Sequence, residues 1–187
     1  MQHMLEERNE RLSHAVTHDQ LTGLCSRWAF VEAVDRAIAA RREAAGTEPA
    51  GDVVVLFCDL DGFKAVNDTH GHSLGDRVLR EIAMRLQTTV RDTDLVARYG
   101  GDEFTVLLGD DQPAAAVAAL IARLGSALAI PVSIDGVTTR VGVSVGVSRE
   151  PAEEADVDSL LSTADAAMYN RKRSKSAGGS PSTGASR

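Results

Sequence analysis

The chain has 187 residues, 43% apolar and 25% charged, which suits one folded domain with appendages. Aromatic residues at 4% argue against the stacking platforms of single-strand nucleic-acid binders, and a net charge of −7 argues against a broad DNA- or RNA-binding face. Cys25 and Cys58 fall in no metal-ligand spacing, and no apolar run approaches the ~20 residues of a membrane span.

The opening segment to about Ala15 is charged and helical in pattern, with Leu5, Asn9, Leu12 and Val16 spaced as a short seam of a coiled coil or of a solvated lead-in helix. Glu6, Glu7 and Arg8 interrupt any secretory signal, so a cytoplasmic setting without direct membrane contact is expected, an upstream region being free to carry an anchor. After the turn formers of His18 to Leu24, Ser26 reads as the N-cap of a helix to about Ala45, with Trp28, Phe30, Val31, Val34 and Ile38 as its apolar side. Residues 46–51 read as a loop. Val53 to Cys58 is a continuous apolar run, hence a central strand covered on both faces, and it delivers Asp59-Leu60-Asp61 at its carboxyl end.

Gly62 to Asp76 is a polar connecting stretch with far more Asp, Asn, Gly and His than a plain connector requires, and it runs into a helix from about Ser73 to Thr89 with Leu74, Val78, Ile82 and Leu86 inward and Asp76 off that stripe. Leu95-Val96-Ala97 and Thr105-Val106-Leu107-Leu108 read as strands joined through Arg98-Tyr99-Gly100-Gly101-Asp102-Glu103-Phe104. The paired glycines leave room for a ligand against the main chain. Two adjacent carboxylates are costly to hold together without a cation, so the turn suggests metal-bound phosphate, the alternative being an ordinary solvated turn.

A helix from Pro113 to about Leu128 follows, then two strands, Pro131–Ile134 and Val137–Val147, flanking the hairpin turn Asp135-Gly136. Along the second strand Val141, Val143, Val145 and Val147 alternate with Gly142, Ser144, Gly146 and Ser148, leaving one sheet face small enough for a helix to approach closely. The last helix is expected from about Asp158 to Arg173, and Ser174 to Arg187 as a disordered tail. The whole is an α+β domain over residues 19–173, with a mostly antiparallel sheet of about five strands covered by helices and preceded by a lead-in helix over residues 1–18.

Six stretches in this order resemble the GGDEF domain of diguanylate cyclases. They are Asp19-Gln20-Leu21-Thr22-Gly23-Leu24 with Arg27, Asp59 to Lys64 with Asn67-Asp68, Gly71 to Asp76, Arg98 to Phe104, Ser144 to Val147, and Ala164 to Tyr169 with Lys172. The resemblance implies a palm-like, ferredoxin-like core as in nucleotide cyclases. It also implies condensation of two GTP into cyclic di-GMP with release of two pyrophosphates, by a homodimer using Mg²⁺, with Mn²⁺ an alternative ion. By the same resemblance Asp59, the Leu60 carbonyl, Asp102 and Glu103 hold the metal, and Asp102 and Glu103 serve catalysis. Asn67 and Asp76 read the guanine edge, and His72 is a further substrate contact. Phe63, Lys64, Gly100, Gly101 and Lys172 are implied at the phosphates. Arg91 and Asp94 match a product-inhibition site for cyclic di-GMP. An upstream sensory domain is the expected partner in a longer protein. Two departures stand out: Ser26 where the family usually has asparagine, and Lys175-Ser176 where it has Gly-Arg, the latter removing a phosphate contact. The alternative is a weak or inactive module that acts as a receptor for GTP or cyclic di-GMP.

Overall fold

A computed structural model describes residues 16–45 and 51–178. The seam of the lead-in helix to Ala15 and most of the predicted tail lie outside those residues. Among the described residues, seven strands and five helices follow in chain order: β1 (Cys25–Ser26), α1 (Arg27–Ala45), β2 (Asp52–Asp61), α2 (Phe63–His70), α3 (His72–Thr89), β3 (Leu95–Gly100), β4 (Glu103–Leu107), α4 (Ala114–Ala129), β5 (Val132–Ile134), β6 (Val137–Thr139), β7 (Gly142–Pro151) and α5 (Val157–Gly178). Five strands form one sheet in the order β1-β3-β4-β2-β7, and β5 and β6 form a separate hairpin. Only the β1–β3 pair is parallel among these; β2 runs antiparallel to both its neighbours.

The continuous apolar character of β2 has the expected consequence. Val54, Leu56, Cys58 and Leu60 enter a core with α2, α3 and α4, while Val53, Val55 and Phe57 enter a second core with α1 and α5. Alternate side chains of one strand thus serve two helical layers. At Cys58 burial pushes the thiol up to about 12, so it remains a neutral core group. The small face of β7 receives α5 as the alternation suggested: a Cβ on Gly146 would lie 1.9 Å from the Ala164 carbonyl oxygen.

Four expectations are corrected. Trp28 is 56% exposed, because α1 buries Phe30, Val34 and Ile38 at intervals of four, and Trp28 lies off that stripe. The polar connecting stretch holds the eight-residue helix α2, whose single apolar step, Phe63 to Val66, is too short to show a helical period. The strand expected from Val137 to Val147 is two strands. The three residues of β6 pair with β5, and β7 then starts at Gly142 as the full-length partner of β2. Finally, α5 continues to Gly178. Arg171 donates to the Val145 carbonyl at 2.8 Å and Lys175 to that of Val143 at 2.5 Å, so side chains tie its last turns to the sheet edge.

Candidate active site

Two elements end at one place. The carboxyl end of β2 carries Asp59, Leu60 and Asp61, and the β3–β4 turn carries Gly101 and Asp102. The pairing register sets Asp59 opposite Glu103, and the Leu60 amide donates to the Asp102 carbonyl at 3.2 Å. Opposed residues of an antiparallel pair share a sheet face, so Asp59 and Glu103 are neighbours by construction. The register slips between Arg98 and Gly100, and Gly101 adopts φ 53°, the left-handed conformation glycine accommodates without a steric cost.

On the α3 side of this junction lies a cavity of about 360 Å³, within the range that holds small-molecule ligands. Phe63, Lys64 and Asn67 of α2, His72 and Asp76 of α3, and Gly101 and Asp102 of the turn line it. Gly62 and Gly71, at φ 85° and 80°, bracket α2 and let the chain reverse from strand to helix to helix around the opening. Lys64 forms an exposed pair with Asp68 at 3.0 Å, and His72 opens α3 in an exposed position.

The other side chains implied at the site sit on the opposite face of the sheet. Asp59 is 7% exposed and accepts a hydrogen bond from Lys172 of α5 at 2.5 Å. Burial is the main force raising its pKa; the Lys172 ammonium opposes the rise, and the Asp102 and Asp61 carboxylates add to it. The Glu103 pKa is raised by burial first, then by Asp59, Asp165 and Asp102. Lys172 is itself held protonated, its partial burial being outweighed by Asp59 and the neighbouring acids. Asp61 accepts from the Ser144 hydroxyl and from Lys175, both at 2.8 Å, and so braces the strand end. Lys175 is thereby engaged with the sheet; the Arg173 guanidinium lies over Tyr169, 5.9 Å from the ring centroid. Gly100 closes β3 and does not line the cavity.

Arg98 lines the cavity, although sequence reasoning assigned it no role. Its guanidinium donates to the Gly101 carbonyl at 3.0 and 2.8 Å and to both Asp19 carboxylate oxygens at 3.2 Å. Asp19 also accepts from the Thr22 amide and hydroxyl at 2.9 and 2.7 Å. The turn before β1 is therefore pinned to the glycine turn through one arginine. Burial works to raise the Asp19 pKa, but the bonds from Thr22 and Arg98 prevail and hold it below the ordinary value of 3.8. A depressed carboxylate stabilises the fold above its unfolded pKa, and that contribution is lost as pH falls through the folded value. Asp19→Asn is expected to cost about 1–2 kcal/mol at pH 7, with the gap to wild type narrowing towards pH 3. Urea unfolding of both proteins at the two pH values reads this, and an undiminished gap at pH 3 would contradict it.

Arg91 and Asp94 lie at the other end of β3, away from the cavity. Asp94 accepts from the Arg91 amide at 3.0 Å and from the Gly109 amide at 3.1 Å, so its carboxylate fastens the loop, while the Arg91 side chain is exposed.

A family profile described as "Diguanylate cyclase, GGDEF domain" matches residues 16–177. Diguanylate cyclase TpbB of Pseudomonas aeruginosa is 38% identical over 170 residues, covering 90% of this chain and 38% of that protein. Cyclic di-GMP phosphodiesterase PdeR of Escherichia coli is 34% identical over 169 residues, covering 89% of this chain and 24% of that protein. Among solved structures, the coiled coil and GGDEF domain of DgcB from Caulobacter crescentus in complex with c-di-GMP superposes with a TM-score of 0.81 at 29% identity, covering 92% of this chain and 88% of that one. The chain belongs to the GGDEF-domain family of diguanylate cyclases. It spans well under half the length of the curated relatives it matches. The five-stranded α+β fold expected from the sequence is the fold observed. Among the described residues, no helix is long and apolar enough to cross a membrane.

Proposed function

We propose that this chain condenses two GTP molecules into cyclic di-GMP and two pyrophosphates, as a homodimer in which each copy presents one nucleotide. The observation that carries the reading is the meeting of buried Asp59 with the acidic glycine turn beside a cavity lined by Lys64, Asn67, His72 and Asp76. Asp76 is suited to accept from the guanine N1–H and N2–H₂ donors, which adenine lacks, and Asn67 offers both a donor and an acceptor. Lys64 and the main chain at Gly101 face the same space and are placed to hold phosphate.

The donor set fits a divalent cation. Beyond burial, the Asp102 carboxylate raises the proton affinity of Asp59, and Asp59 and Asp102 together raise that of Glu103, with Lys172 as the ammonium counter-charge, and the strand end adds the Leu60 carbonyl. These hard oxygen donors suit Mg²⁺ or Mn²⁺. Among the described residues, no group of three or more His, Cys, Asp or Glu side chains is arranged to hold a metal by itself, so substrate phosphates would complete the coordination. When bound, the ion supplies charge stabilisation at the phosphates and favours ionisation of the attacking 3′-hydroxyl. The protein's own part is to hold the α-phosphorus in line with the partner copy's nucleotide, with Asp102 and Glu103 beside the hydroxyl to take its proton.

Purified protein given Mg²⁺ with GTP, and separately with ATP, tests the reading by chromatography over a range of protein concentrations. Cyclic di-GMP from GTP alone is expected; bound nucleotide without turnover at every concentration would move the chain to the receptor reading. The kinship with a named phosphodiesterase keeps that reading in play.

Arg91 and Asp94 are proposed as a feedback site for cyclic di-GMP. Arginine stacks on a guanine face and forks onto phosphate, while a carboxylate takes guanine N–H donors. Because Asp94 also fastens the loop, Arg91→Ala is the cleaner test. The variant should lose inhibition by added product about tenfold or more while keeping its initial rate. Equal inhibition of variant and wild type would remove the site.

A further inference from the structure

Gly75 stands in the first turns of α3, one residue before Asp76, and is buried. Its backbone is in no left-handed conformation, so the glycine is not there for its φ. Within a helix glycine is a poorer choice than alanine. What it provides is space. A Cβ at this position would lie 1.9 Å from Asn67 Oδ1, 3.0 Å from Asn67 Cγ and 3.3 Å from Phe63 Cζ. Real Cβ atoms are not found at the first of these distances, so one of the two residues would have to move.

Asn67 also has little else to hold it there. Among the described residues its buried Oδ1 has no hydrogen-bond partner, although the residue lines the cavity. The position of the amide is therefore set by shape, and the shape is the notch that the absent Cβ leaves in α3. Phe63, the other residue against that notch, lines the same cavity. We propose that Gly75 is a positioning residue for base recognition: it seats the Asn67 amide against α3 and so fixes its place relative to Asp76. The inference rests on the reading of Asn67 and Asp76 as guanine contacts. A side chain at Gly75 would push the Asn67 amide out of its seat and into the volume the base needs, without itself touching the nucleotide.

A double-mutant cycle with Gly75→Ala and Asn67→Ala separates this from a merely structural role. Binding of 3′-deoxy-GTP, which lacks the attacking hydroxyl, and of 3′-deoxy-ATP is measured by calorimetry, and melting is followed without nucleotide. In the wild-type background Gly75→Ala should weaken 3′-deoxy-GTP about tenfold or more, shrink the preference over 3′-deoxy-ATP and lower the melting temperature. In the Asn67→Ala background, where the clashing atoms are gone, it should change affinity by less than about twofold and leave melting equal or higher, alanine being the better helix former. Should Gly75→Ala alone fail to fold, a folded double variant would still support the seat. Equal losses of affinity in both backgrounds, or unchanged binding by Gly75→Ala alone, would overturn the proposal. If Asn67→Ala leaves 3′-deoxy-GTP binding intact while the melting temperatures still couple, the contact is real, but the guanine reading and the recognition role both fall.

Discussion

Asp59→Asn is expected to lower cyclic di-GMP formation by about three orders of magnitude while leaving the melting temperature within a few degrees of wild type. Asparagine keeps the volume and one acceptor of the aspartate, so the end of β2 should remain paired with β4 and β7. What it removes is negative charge where the strand end, the acidic turn and α5 meet. Two effects on stability oppose each other. Lys172 loses the Asp59 carboxylate, but that lysine is partly exposed and can be solvated, whereas the repulsion of Asp59 by Asp102 and Asp61 is relieved. The net change should fall within about 1 kcal/mol. Chromatography of product at saturating GTP beside a melting scan reads both halves. Turnover above a tenth of wild type in a normally folded variant would take Asp59 out of the chemistry.

Gly146→Ala is expected to be the most damaging small substitution in the sheet. The added Cβ would lie 1.9 Å from the Ala164 carbonyl oxygen, 2.2 Å from the Met168 amide nitrogen and 2.8 Å from Met168 Cβ. The two nearest atoms are helix backbone and cannot turn aside as a side chain would, so α5 has to lift as a body. Such overpacking costs about 3 kcal/mol at the upper end of its usual range. The same movement draws Lys172 from Asp59 and Lys175 from Asp61, so activity should fall with stability. Urea titration should show a lowered midpoint with an unchanged slope. A midpoint equal to wild type would mean that α5 is not seated on β7 as described.

These effects show which parts of the molecule the sequence could reveal. The apolar run of β2 announced a strand buried on both faces, and the small-residue alternation of β7 announced a closely packed helix, because both depend on side-chain character repeated over many residues. The hairpin turn at Asp135-Gly136 was legible for a local reason, since both residues take positive φ, at 50° and 81°. Helix α2 was not legible: eight residues between two glycines carry too few apolar positions to define a period. The extension of α5 was hidden because it depends on ion pairs and carbonyl contacts to strands far away in the chain, which outweigh the serine and glycine content of its last turns.

The candidate site divides in the same way. The family resemblance pointed to residues that line the cavity but gave no sign that the implied set occupies two faces of one sheet, with Lys172 on the face opposite Lys64. The role of Arg98 was also out of reach, although it stood inside the quoted signature, because its partners Asp19 and Gly101 converge only once β1 lies beside β3. Asp61 could not be assigned from sequence either; its bonds to Ser144 and Lys175 require β7 and α5 to be in place.

Anomalous scattering from crystals grown with Mn²⁺ and 3′-deoxy-GTP would test the central reading most directly. The expected result is a peak at the junction of β2 and the glycine turn, within bonding distance of Asp59, the acidic turn and the nucleotide phosphates, with the base beside Asn67 and Asp76. A nucleotide bound in the cavity with Asp59 still on Lys172 and no metal between the strand end and the turn would contradict it.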